Sequence, residues 1–423
     1  MSTLSVRSDA SLLAGTSLIP FRVVDEGILY RVSAAPAAVG VLLCERCGAE
    51  LRRNGARRLK VMDLPVHGRS VKIEIEAPRF VCPFCGKSGD VRPADLHPTR
   101  QMTARLVAYI EQAGLQRPYA DIAREIGVGQ ATIAKICNAQ IEPPDAYRPT
   151  APAVLCIDEA HMRKGEDYAV LSDHDAALPI EMLPNVDKES LIEALRKLRN
   201  PERCHTVVID MTSRYFDAIR EALPHAFIVA DPFHVLKQVL DCLRQVASTQ
   251  HRYLPEPRPK LMKLKSLLIS RPAKLSKDDR KQLKKAFAGS SYLWQTYKWK
   301  ERIIGLYSAS SHGDAAMHLE WWIASLPRPM ACAFKEALTA YKNWAPEILA
   351  YWLAPQRATN GPAEGMNSVI KRINAAGGGG MKFELLRARV LFGEPQRRAR
   401  EARRQAVART RRRSAAAPEI SAR

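Results

Sequence analysis

Three carboxylates, Asp158, Asp210 and Glu364, stand where the acids of a two-metal phosphoryl-transfer site are needed. Asp158 ends the apolar run from Ala153 to Ile157, Asp210 ends Thr206 to Ile209, and Glu364 opens a helix-like stretch after Asn360-Gly361-Pro362. Two acids at strand ends and a third on a late helix can hold two Mg²⁺ or Mn²⁺ ions beside a scissile phosphate. In-line displacement wants one ion on the nucleophile and one on the leaving oxygen. Asp158 would bridge both ions, and Asp210 and Glu364 would each complete one. Glu159 should face away from Asp158 if the strand continues, because side chains alternate along a strand.

The elements around these acids follow an α/β pattern. A strand ends at Asp158, and Tyr168 to Ser172 predicts another. Glu189 to Leu198 has helical apolar spacing, Thr206 to Ile209 is a strand, and Ser213 to Ala222 is a helix. Ala226 to Ala230 and a helix from Val235 to about His251 follow. Alternating strands and helices imply parallel pairing in part of the sheet. The interval between Asp158 and Asp210 leaves room for two more strands and a helix. Residues 252–355 change character: they are Lys-rich, helical in period, and carry every tryptophan of the chain. Trp294, Trp299, Trp321, Trp322, Trp344 and Trp352 fill the core of that segment, or one of them stacks on an unpaired base. Lys263, Lys265, Lys274, Lys277, Lys281, Lys284 and Lys285 form a basic stripe that either tracks phosphates or is a solvated face.

A second constellation lies upstream. Cys44-Glu45-Arg46-Cys47-Gly48 and Cys82-Pro83-Phe84-Cys85-Gly86 form a CxxC…CxxC set, whose two-residue gaps let four thiolates reach one tetrahedral Zn²⁺. The stretch between the pairs exceeds that of a compact finger, and a β-hairpin with an elaborated loop would fill it. Arg52, Arg53, Arg57, Arg58 and Lys60 would lie in that loop, either touching phosphate or simply solvated. Short strands precede it (Phe21 to Val24, Leu29 to Val32), and Val71 to Glu76 alternates apolar and charged residues. Helices follow over Thr103 to Ala113, Pro118 to Gly127 and Gly129 to Ala139. The last two read as a helix-turn-helix in which Gln130, Thr132 and Lys135 would reach DNA, or as a plain helical hairpin. Pro143-Pro144, Pro149 and Pro152 mark a linker.

Composition agrees with a nucleic-acid partner without requiring one. The 423 residues carry 65 Lys and Arg against 44 Asp and Glu, a formal charge of +21 that attracts polyanions. From Arg397 to Arg413 nine of seventeen residues are arginine, which fits a DNA-gripping arm. A chain this long predicts several domains. No apolar run reaches about 18 residues, so no membrane partner is expected. The opening segment lacks a secretory pattern, and the nine cysteines, four of them in the CxxC pairs, suit a reducing cytoplasm.

The runs Cys156-Ile157-Asp158-Glu159, Val207-Val208-Ile209-Asp210-Met211, Val229 to Val235 (VADPFHV) and Thr359 to Asn367 (TNGPAEGMN) resemble bacterial insertion-sequence transposases of the ISL-three type. The resemblance covers Cys44 to about Leu391. It implies a multidomain α+β chain: an RNase H-like α/β catalytic core with an all-helical insertion, preceded by a zinc ribbon and a helix-turn-helix. The corresponding segments are 1–98 for strands and ribbon, 99–145 for the helix-turn-helix and 150–251 for the first part of the core. The insertion takes 252–355, the last core helices 356–395 and the Arg-rich tail 396–423. The resemblance further implies binding of terminal inverted repeats, Mg²⁺-dependent cleavage and joining of the freed 3′-OH to target DNA. Double-stranded DNA, as transposon end and as target, is then the partner, and synapsis predicts at least a homodimer on DNA. The expected location is the bacterial cytoplasm, associated with the nucleoid. Asp231 also follows a strand and competes with Asp210. Because an Asp-x-x-His run follows the second acid in several transposase superfamilies, Asp210 is assigned to the metals and Asp231 and His234 to support beside them. Two other functions remain open, a site-specific transcription regulator and an RNase H-like nuclease without strand transfer.

Overall fold

A computed structural model of the chain describes residues 10–37, 40–90, 92–139, 148–162, 165–256, 258–377, 381–393 and 395. The Pro143-Pro144 linker and the Arg-rich tail lie outside them. The chain divides into two compact units, Met1–Pro144 with Asn374–Arg423, and Asp145–Ile373. The division falls near the end of one helix, so residues 356–395 are shared between the two units.

The first unit is built on a mixed sheet of β1 (Leu18–Asp25), β2 (Leu29–Pro36), β3 (Arg52–Val66), β4 (Arg69–Val81) and β5 (Ser88–Asp90), in the order β1-β2-β4-β3 with β5 also on β4. Val71, Ile73 and Ile75 are buried on one face while their charged neighbours are not, as the alternation predicts. The stretch between the CxxC pairs departs from expectation. No elaborated loop exists: β3 and β4 form one long antiparallel hairpin, closed at Val66↔Arg69 by His67 and Gly68. Both turn residues have positive φ (50° and 75°), the two-residue geometry whose twist matches that of the strands. Arg52, Arg53, Arg57, Arg58 and Lys60 therefore lie along β3, not in a loop.

Three helices follow, α1 (Ala104–Gly114), α2 (Tyr119–Ile126) and α3 (Gln130–Ala139). Thr103 caps α1 by accepting from the Leu106 N–H. The buried Asp63 of β3 accepts from Thr103 Oγ1 (2.6 Å) and from Arg105 Nε (2.8 Å), tying the helices to the sheet. Gly127 ends α2 with φ 76°, and a Cβ there would lie 2.9 Å from Ser70 Oγ, so the α2–α3 turn requires glycine. Ile110, Ile122, Ile126, Ile133 and Ile136 form the core between the helices.

The second unit centres on β6 (Val154–His161), β7 (Asp167–Asp173), β8 (Leu178–Leu183), β9 (Thr206–Ile209) and β10 (Phe227–Ala230), in the order β10-β9-β6-β7-β8. β10, β9 and β6 are parallel, and β6, β7 and β8 antiparallel. The helices α4 (Lys188–Arg196), α5 (Ser213–Ala222) and α6 (Pro232–Gln250) connect or follow these strands. Leu155, Ile157, Val207, Ile209 and Ile228 pack under α4 and α5. Val154, Cys156, Val208 and Val229 face the other way, against Ala350, Ala354, Ala358 and Ala363. A sheet covered on both faces accounts for the continuous apolar strands.

Seven helices then run from α7 to α13: α7 (Leu261–Ile269), α8 (Lys277–Gly289), α9 (Ser291–Ile304), α10 (His312–Ser325), α11 (Arg328–Ala333), α12 (Lys335–Asn343) and α13 (Ala345–Leu353). They are followed by α14 (Gly361–Ala376) and, in the first unit, α15 (Phe383–Ala388). Trp299 and Trp322 are buried in their core, as expected of tryptophans that fill the segment.

Candidate active site and metal-binding cysteines

Asp158 does not end its strand. β6 continues to His161 because β7 keeps pairing with it through His161↔Asp167, whereas the parallel ladder to β9 stops at Cys156↔Val208. Asp158 thus stands just past the parallel ladder, on the face of Val154 and Cys156. Glu159 projects to the opposite face, where Arg214 Nη2 (2.9 Å) and Tyr215 Oη (3.0 Å) of α5 donate to it. Asp210 follows β9 directly. Helix α6 begins earlier than its apolar spacing suggests, at Pro232, because Asp231 caps it and proline suits the first helical position.

Helix α14 carries the third acid. Its first turn holds Glu364, and Asn367 lies three residues on, along the same helical face. Asn367 Nδ2 donates to Asp158 Oδ2 (2.8 Å) and to the Glu159 carbonyl (3.2 Å). Asn360, just before the helix, donates its side-chain amide to the Ile157 carbonyl (3.1 Å) and its backbone N–H to Asp231 Oδ1 (2.9 Å). The start of α14 is therefore pinned to β6 and to the cap of α6. Sequence reasoning gave no role to either asparagine. The three-residue step from Glu364 was the available signal for Asn367.

Asp231 and Asp210 differ in what their oxygens do. Asp231 is buried, with Oδ1 held by Asn360 and Oδ2 by His234 Nδ1 (2.9 Å) and the His234 backbone N–H (3.3 Å). Asp210 is half-buried; its Oδ1 lies 2.7 Å from His234 Nδ1, yet no donor is aligned with it. Asn360 Oδ1 and Asn367 Oδ1 are likewise buried without a donor. Three orphaned acceptors beside this acid group are what cations or water would satisfy.

The ligand atoms of Asp210, Asp231 and His234 lie within 4.8 Å of one another. Asp158 and Glu364 stand outside this tight set but within electrostatic range. Burial first, then the Asp210 charge, pushes the Asp158 carboxyl up to about 6. Burial and then Asp231 raise that of Glu364. Burial alone would depress the His234 imidazole, but its contacts with Asp210 and Asp231 outweigh that and hold it at about 10. Without metal the site thus contains one internal cation among mutually repelling acids, an arrangement suited to divalent ions. A second acid group, Glu159, His161 and Asp167, is partly to fully exposed. Within it Glu159 is held by α5 and Asp167 by His161 Nδ1 (2.8 Å).

In the first unit the four cysteines converge. Cys44 Sγ lies 3.5 Å from Cys85 Sγ, and Cys47 Sγ 3.4 Å from Cys82 Sγ and 3.8 Å from Cys85 Sγ. A tetrahedron with Zn–S bonds of about 2.3 Å has edges of about 3.8 Å, so the thiols are spaced for one Zn²⁺. Each pair forms the same knuckle: Gly48 N–H bonds the Cys44 carbonyl and Gly86 N–H the Cys82 carbonyl, both glycines at φ 71°. The backbone N–H of Cys85 lowers the Cys82 thiol to about 6. The Ala49 N–H would lower the Cys47 thiol too, but contact with Cys82 pushes it up to about 12, so without metal the cluster shares its protons. On α3, Gln130 and Lys135 are exposed and Thr132 half-buried. Among the described residues no helix is long and apolar enough to cross a membrane.

The acid-lined α/β sheet and the four-cysteine cluster each lie within a segment that matches a transposase family model. The ISL3 DDE family model, described as "Transposase", matches residues 155–390. A second model, "zinc-finger of transposase IS204/IS1001/IS1096/IS1165", matches residues 41–85. The chain belongs to the ISL3 transposase family. It is 25% identical over 382 residues to the "Transposase for insertion sequence element IS1001" of Bordetella parapertussis, covering 87% of this chain and 93% of that one.

Proposed function

We propose that this chain binds the terminal inverted repeats of an insertion sequence, cleaves DNA there with two divalent ions, and joins the freed 3′-OH ends to target DNA. Asp158, Asp210 and Glu364 are the metal-binding acids in this reading, with Mg²⁺ the expected ion and Mn²⁺ its substitute. The ions would activate the attacking oxygen and stabilise the leaving one. Asp231 and His234 support the site: Asp231 joins α6 to the start of α14, and His234 sets a positive charge beside Asp210. The observation that supports the reading is that the Asp158 carboxyl feels the charges of Asp210 and Glu364, beside an Asp210 oxygen that no aligned donor satisfies.

The strand order, with two parallel partners beside β6 and two antiparallel strands after it, supports an RNase H-like core interrupted by the helical segment 252–355. The α2–α3 pair supports a helix-turn-helix in which Gln130, Thr132 and Lys135 contact DNA, alongside a ribbon that holds one structural Zn²⁺. Such an enzyme would work in the bacterial cytoplasm on the nucleoid, as at least a dimer when two ends are paired. The test is a joining assay with end-bearing DNA, a second target duplex and Mg²⁺. Joined product absent from the Asp158→Ala reaction is expected. Nicking without joining would leave a nuclease, and binding without nicking a regulator.

A further inference from the structure

The helical segment contains a cavity of about 800 Å³, within the range of roughly 300–1,000 Å³ usual for small-ligand sites. Its wall is aromatic. Phe287 of α8 packs 4.8 Å from Trp294 and 5.0 Å from Tyr297 of α9, and the last two rings are nearly parallel, 13° apart at 6.1 Å. Leu275, Leu283 and Pro272 complete the apolar lining. Cations border it: Arg280 and Lys284 line the cavity, and Lys298 Nζ lies 5.3 Å over the Trp294 ring. Helix α8 itself carries five cations against two acids, both acids in its first turn.

Trp294 is 40% exposed, and Trp321 at 46% is the other tryptophan among the large exposed hydrophobics. Their settings differ. Trp321 is stacked on Trp299 at 5.7 Å with Arg302 over both rings. Trp294 also packs on Phe287 and Tyr297 with Lys298 over its ring, but unlike Trp321 it lines the cavity. A large planar aromatic in an apolar recess, edged by cations, matches an unstacked nucleobase with its flanking phosphates: the base stacks, and the phosphates meet the cations. A purely apolar partner would gain nothing from the cationic rim. We propose that this cavity receives an unpaired nucleobase of a DNA strand, with Trp294 as the stacking platform and Arg280, Lys284 and Lys298 on the adjoining phosphates. The proposal rests on the reading that the protein acts on DNA.

The test is binding of the full-length, zinc-loaded protein to a mixed-sequence single-stranded oligonucleotide and to the same sequence as duplex, across a salt series. Stacking is worth about 1–3 kcal/mol per base, so Trp294→Ala should weaken single-strand binding about 5- to 150-fold. It should leave duplex affinity and the salt slope unchanged. Trp294→Phe should restore most of the loss, Trp321→Ala should have no effect, and Lys284→Ala should lower the slope by about one phosphate contact. Matching thermal melts would show that Trp294→Ala folds. Unchanged single-strand affinity in Trp294→Ala, equal losses on duplex, or a larger loss in Trp321→Ala would overturn the proposal. So would loss of self-association in sedimentation without a change in single-strand affinity, which would make the recess a contact between copies. Failure of the wild type to bind either DNA would instead count against the proposed function.

Discussion

The cysteine cluster and the acid site are built in opposite ways. The cysteine ribbon is local: each pair lies within four residues, each closes its own knuckle through a glycine at φ 71°, and one hairpin brings the pairs together. The acid site is assembled by topology. Asp158, Asp210 and Glu364 come from β6, the end of β9 and α14, and they come within electrostatic range only because β9 lies parallel beside β6 and α14 returns after a long helical segment. Local encoding makes a site that should be lost and regained with its metal alone. Topological encoding makes a site that exists whether or not metal is bound, with His234 holding part of the charge meanwhile.

The largest effect expected is on chemistry. Asp158→Ala or Glu364→Gln should reduce DNA cleavage at least ~10³-fold, since several kcal/mol of charge stabilisation are removed and each 1.36 kcal/mol is tenfold. Circular dichroism and DNA binding should be unchanged, because the sheet does not depend on the ions. Loss of fold in these variants would erase the contrast with the ribbon. Next comes zinc. Cys44→Ser should release the bound zinc, measured by a colorimetric chelator, and lower the melting temperature of the first unit, because structural zinc contributes folding energy directly. The melt of the second unit should not move.

Smaller effects sharpen the comparison. Asn367→Ala removes a donor from Asp158 without touching a ligand, and partners of this kind typically matter 10- to 100-fold; cleavage should fall by about that factor. Titrating Mn²⁺ should partly restore the rate, as weakened metal positioning predicts. Gly68→Ala forces a Cβ into positive φ at the hairpin turn, where nothing crowds it, and should cost about 1–2 kcal/mol in the first unit, read from its denaturation midpoint. Cleavage of bound DNA should be unaffected.

The same contrast explains what was legible in the sequence. The CxxC pairs announce their chemistry by spacing alone, and the helices with clear apolar periods, α2, α3 and α5, lie within a residue or two of expectation. Local signals misled where partners decide the outcome. The apolar run before Asp158 ends at the acid, but antiparallel pairing with β7 carries the strand on to His161. The long interval between the cysteine pairs suggested a hairpin with an elaborated loop, but pairing along β3 and β4 fills it down to a two-residue turn. Asn360 and Asn367 stand in the TNGPAEGMN run, but their individual roles were not legible because their partners, Ile157, Asp231 and Asp158, lie more than a hundred residues away.

The central claim is that Asp210, not Asp231, completes the metal-binding acids, since Asp231 already spends both oxygens on the start of α14 and on His234. Mg²⁺-dependent cleavage of end-bearing DNA by Asp210→Asn and Asp231→Asn, measured side by side with melting temperatures, tests it most directly. The account predicts that Asp210→Asn keeps its stability and loses cleavage, while Asp231→Asn loses stability and retains measurable cleavage. Cleavage at the wild-type rate in Asp210→Asn would contradict it.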